Sequence, residues 1–218
     1  KSAKRERTIK MNKNIKLFTT VIFFGSIWGI LEATIGHILH FIPATIAGSI
    51  MFPIASLILY KTYKKTESKA SLFYVGLVAA MIKSVDLLLP SLSVYKTINP
   101  MISILLESLV VVAVITLVIS KKPQLSYSAL PIASVSWRTI FIGYMGLQFV
   151  LTGNLAPYIK TLQAGITFVI IGGLLSGAMA SLLLFAERNY MHKFNLATIK
   201  PIYAAFLFIA ALITTYTL

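Results

Sequence analysis

No cysteine occurs in the chain, so disulfide bonds, thiolate nucleophiles and thiolate metal sites are excluded. Acidic residues are scarce as well: six Asp and Glu stand against twenty Lys and Arg. Charged residues of both signs reach only 12% of the sequence, about half the share of an ordinary soluble domain. There is no HExxH zinc helix, no GxSxG nucleophile turn and no P-loop. A transporter energised by its own ATP hydrolysis is therefore excluded, and no enzyme motif is present.

What the sequence has in abundance is apolar residues, 57% of the chain, with a mean hydropathy of +0.85. That composition belongs to an integral membrane protein. Apolar segments at 17–42, 44–60, 71–90, 101–120, 129–152, 162–186 and 201–218 predict an all-α, polytopic bundle of six to seven transmembrane helices. The expected organisation is a basic cytoplasmic segment, 1–16, and one transmembrane helical domain, 17–218. Met11 is a candidate start, which would make the ten residues before it an extension. The second segment is short for a full span. Pro43 is expected to close the first helix, Pro53 falls inside the second, and Pro201 opens the last. Pro90 and Pro100 are expected to bracket the loop SLSVYKTINP.

In a soluble protein the net charge of +14 would suggest nucleic acid; here its distribution points to topology and anionic lipid. Sixteen of the twenty basic residues fall at alternate segment ends: 1–16, 61–69, 121–122 and 188–200. The opposite loops hold only Lys96 and Lys160. The positive-inside rule then predicts a multi-pass plasma-membrane protein with a cytoplasmic N-terminus.

Several other ionisable groups lie within the apolar segments, where each is costly unless paired or hydrated and so marks a candidate site. Glu32 falls just past the middle of the first segment, with His37 and His40 nearer its outer end. Asp86, Glu107 and Gln148 join them from the outer halves of three other segments, and Asn99 from the adjoining loop. Three carboxylates favour a cationic or zwitterionic small-molecule substrate. Trp28 is a candidate ring to stack on it. Lys83 and Asp86, spaced i and i+3, also form a candidate structural ion pair. Arg138 is a candidate for a second such pair, with Glu32 or Glu107. His37 and His40 share the i, i+3 spacing of some metal and haem ligands. That keeps open a metal ion there and, as an alternative function, a membrane metal- or haem-binding enzyme. A third reading is an assembly factor whose buried charges only specify packing.

Gly25, Gly29 and Ala33 recur every four residues and flatten one face of the first helix; Gly173 and Gly177 do so in the sixth. With its size, hydrophobicity and basic cytoplasmic loops, the chain resembles the substrate-binding (S) components of energy-coupling factor transporters. That resemblance implies uptake of a small vitamin-like solute or metal ion, captured in the outer half of the bilayer. It also implies a transmembrane coupling subunit with two ATPases, docked on the strip Gly25, Gly29 and Ala33. The chain departs from the family in having seven apolar segments where six are usual, and in lacking the Met-His start of metal-specific members.

Overall fold

The structure is a computed structural model and describes residues 2–39, 44–90, 92–114, 125–191 and 199–217. Among these residues there is no strand. The helices are α1 (Ser2–Leu39), α2 (Ala44–Thr66), α3 (Lys69–Lys83), α4 (Val94–Val114), α5 (Leu125–Thr152), α6 (Leu162–Ile166), α7 (Gly172–Ala186) and α8 (Pro201–Thr217). A 3-10 turn, Ser84–Leu88, extends α3, and another, Pro157–Ile159, precedes α6. Two π turns, Thr167–Ile171 and Glu187–Met191, join α6 to α7 and continue past it, so 162–191 is one rod.

Among the described residues, four segments are long and apolar enough to cross a membrane: Lys13–Gly36, Lys69–Leu88, Val94–Val114 and Leu162–Tyr190. These helices fit a helical membrane bundle by length and composition. The burial pattern agrees. The inward face of α7 carries Gly173, Ser176, Gly177 and Ala180, whereas Leu174, Leu175, Leu182 and Phe185 point outward. On α8, Ala204 and Ala211 are buried while Ile202, Phe206, Ile209 and Ile213 are exposed. Small residues inside and large apolar ones outside suit a lipid solvent, where close backbone approach provides the packing energy.

α1 runs unbroken from Ser2, so the basic segment continues the helix of the first span. One expectation needs correction. Pro100 does not end a loop; it lies inside α4, which begins at Val94. Its ring removes the N–H that would have bonded the carbonyl of Lys96 in the first turns of the helix. Pro43 lies outside the described residues.

Helix contacts run α1 to α3, α3 to α4, α4 to α5, α5 to α7, α7 to α2 and α2 back to α1. Six rods thus close a ring, and α8 packs on its outside against α1. Glycines permit the close approaches. A Cβ on Gly25 would lie 2.6 Å from Val78, and one on Gly29 would lie 2.8 Å from Ile82, both on α3. A Cβ on Gly177 would strike the backbone of Pro131 on α5. Beside it, Ser134 Oγ and Ser176 Oγ share a hydrogen bond of 2.7 Å between α5 and α7. The core inside the ring is apolar, with Trp28, Phe52, Leu59, Leu72, Ile104 and Met145 fully buried.

Candidate functional site

One end of the ring holds a cavity of about 520 Å³. Its wall takes Glu32 and Gly36 from α1, Met51 from α2, Lys83 from the end of α3, and Asn99, Ser103 and Glu107 from α4. Trp137 and Phe141 come from α5, Asn154 to Tyr158 from the loop after it, and Phe168 from the first π turn. These are alternating ends of successive helices, so the cavity lies at the end away from the basic clusters of the sequence.

Local chain chemistry builds the loop that roofs this wall. Gly153 adopts φ 70° and its N–H bonds Phe149 O at 2.8 Å, which stops α5. Pro157 then starts the short 3-10 turn, and Thr161 Oγ1 accepts a 3.1 Å bond from Ala164 N–H to cap α6. Tyr158 is delivered to the cavity between these two signals. Burial pushes its hydroxyl above the ordinary tyrosine range, against an opposing pull from Arg138, so it remains a protonated donor at neutral pH.

The carboxylates are held differently. Glu32 Oε1 accepts a hydrogen bond of 3.2 Å from Trp28 Nε1, one turn earlier on α1. Trp28 is fully buried and acts through Glu32; it is not part of the wall. Glu107 is buried, and its Oε2 has no hydrogen-bond partner among the described residues. Neither Glu32 nor Glu107 has an ion pair among the described residues. Asp86 sits outside the wall and meets Lys83 Nζ at 2.7 Å, so the deep lysine carries its own counterion. Asn99 Oδ1 accepts from Tyr144 Oη at 3.1 Å and from Gln148 Nε2 at 3.0 Å. Gln148 therefore stands behind Asn99 and orients it. With its carbonyl taken, Asn99 has its amide N–H groups left to offer.

Arg138 corrects a further expectation, since it makes no salt bridge with Glu32 or Glu107. It is fully buried and donates from Nη1 to Phe168 O at 3.2 Å. Its guanidinium lies 4.8 Å from the Trp137 ring and 4.7 Å from the Phe168 ring. The π turn shifts the local hydrogen-bond ladder, and the arginine takes up the Phe168 carbonyl there. Its Nε and Nη2 have no partner among the described residues.

The expected docking strip is also corrected. Gly25, Gly29 and Ala33 are buried within the chain, and α3 occupies the face of the two glycines. A flat helical face in lipid is covered by whatever helix reaches it first, and here that helix is covalently attached. Gly173 and Gly177 pack internally too, against Val135 and Pro131 of α5.

His40 and the side chain of His37 lie outside the described residues, and among the described residues no three His, Asp or Glu side chains could hold a metal ion. The chain matches no protein-family model, no curated protein and no solved structure.

Sequence reading missed much of the wall. Phe141, Tyr158 and Phe168 form a continuous aromatic surface with Trp137, with ring centroids 4.3 to 6.2 Å apart. A phenylalanine inside an apolar run carries no mark of its own. Lys96, one of only two basic residues in the charge-poor loops, was the available signal for the cavity mouth.

Proposed function

We propose that the protein is a membrane-embedded binding subunit for a small cationic or zwitterionic solute, working by capture and release and not by bond chemistry. The observation that carries this reading is the cavity wall: Glu32 and Glu107 are without ion pairs among the described residues, while Lys83 is neutralised by Asp86. Lys96 also lines the cavity but is exposed to solvent at its mouth. With the buried Arg138 behind the aromatic rings included, Glu32, Glu107 and Asp86 stand against Lys83 and Arg138, so the deep site carries one net negative charge in an apolar setting, where a cation is favoured. The cavity volume falls in the range of small-molecule sites.

In this reading all seven rods cross the bilayer. The sixteen basic residues hold the N-terminus and alternate loops on the cytoplasmic side, and the cavity opens outside. Uptake then draws energy from separate coupling and ATPase subunits, which dock on a surface other than the strip buried by α3. Native mass spectrometry of gently solubilised protein from its own cells tests the proposal. A retained small cation or zwitterion, lost in Glu107→Gln, is expected. A retained polyanion, or a ligand unaffected by that substitution, would exclude this site.

A further inference from the structure

We propose that the solute is an organic cation bearing an aromatic ring, bound with its ring on the Trp137–Phe141–Tyr158–Phe168 wall and its nitrogen at Glu107 and Glu32. This inference rests on the cation-binding reading and narrows it. Four aromatic rings from three separate elements meet on one side of the cavity. Such a surface gains from contact with another flat ring, in offset or edge-on geometry. A bare metal ion or a short aliphatic amine would leave it against water in a space of about 520 Å³.

The orientation follows from Arg138. Its guanidinium already lies against Trp137 and Phe168 and is fully buried. A second positive charge pressed onto those same rings would be repelled by it in a low-dielectric setting. The wall is thus unsuited to caging an ammonium group and suited to an uncharged ring. The charged nitrogen goes to the carboxylates. Glu107 Oε2, buried and without a hydrogen-bond partner among the described residues, is the acceptor left for it.

Both tryptophans of the chain report on this site, because Trp137 is in the wall and Trp28 holds Glu32. Tryptophan emission of the full-length protein in lipid nanodiscs is followed during titration with three probes. These are 2-phenylethylamine, its neutral counterpart 2-phenylethanol, and butylamine, which has the charge without the ring. Phenylethylamine is expected to give a saturable change. Phenylethanol should bind weaker by on the order of a hundredfold, and butylamine by about tenfold. Phe168→Leu should reduce the advantage of phenylethylamine over butylamine without weakening butylamine itself. Butylamine equal to phenylethylamine overturns the ring assignment and leaves the cation site standing. Phenylethanol equal to phenylethylamine, or no saturable change with any probe in the millimolar range, overturns both.

Discussion

At the basic end of the bundle Glu187 meets Lys61 at 3.0 Å, and the pair ties α2 to the last π turn. At the cavity end Glu107, as buried as Glu187, and the half-buried Glu32 face a space with no ion-pair partner among the described residues. Among the described residues, unpartnered buried atoms also concentrate there: Thr97 Oγ1, Glu107 Oε2, Trp137 Nε1, Arg138 Nε and Nη2, and Gln148 Oε1, against Ser56 Oγ and Glu187 Oε2 toward the other end. A charge pair that satisfies itself holds helices together. A charge left without its partner costs stability and is kept where something else arrives to meet it. The contrast sets charge that is satisfied within the protein apart from charge left open to a cavity.

The largest expected effect tests the packed part of that comparison. Gly177→Leu should force α5 from α7, since its Cβ already has no room beside Pro131. A loss of about 3 kcal/mol or more is expected, read as a collapse of the thermal transition or of monodisperse extraction. Gly29→Leu should act similarly through Ile82, which is followed in α3 by Lys83 of the cavity. It should remove fold and binding together. A variant that lost only assembly with a partner subunit would show that α3 does not cover the strip.

Next come the two glutamates as a pair of opposites. Glu107→Gln should weaken cation binding by on the order of a hundredfold while leaving the melting temperature unchanged or higher, because an unpaired buried charge is removed. Glu187→Gln should do the reverse, lowering stability by about 1 kcal/mol through the abandoned Lys61 and leaving ligand affinity intact. Titration and thermal unfolding on the same preparations decide it. Equal behaviour of the two variants would dissolve the distinction between the ends.

A smaller effect is expected from Asp86→Asn. It frees Lys83 as a positive charge in the wall, so cation affinity should fall about tenfold, with most of the loss recovered in Lys83→Met, Asp86→Asn. Smallest of all, Gly143→Ala meets nothing within 4 Å and should change stability by less than about 1 kcal/mol, in the stabilising direction.

Much of the architecture was legible in the chain because lipid imposes a simple rule on it. Every buried peptide group must bond within its own helix, so long apolar runs between charged ends read directly as helices. Local spacing was equally readable: Lys83 and Asp86 are three residues apart and do meet, and Gly173 with Gly177 lines a helix seam. Glu32, Asn99 and Glu107 were marked by their polarity alone and do share one cavity.

What the chain could not announce was who covers whom. A stripe of small residues states that a helix will approach, not which helix, and α3 rather than another protein took the face of Gly25 and Gly29. Arg138 looked like an ion-pair partner, yet it bonds a backbone carbonyl in the π turn and lies against two aromatic faces, and it forms no salt bridge with Glu32 or Glu107. Phe141, Tyr158 and Phe168 are ordinary apolar or interfacial residues in sequence and became one wall of the cavity only when α5, a 3-10 turn and a π turn converged. Hydropathy and periodicity are properties of a segment and its solvent, so the sequence by itself determined a chain of long apolar helices with ionisable groups set into them. Neighbours, and therefore the pairing of those charges and the shape of the space between them, depend on close packing among helices distant in sequence, which only the tertiary structure decided.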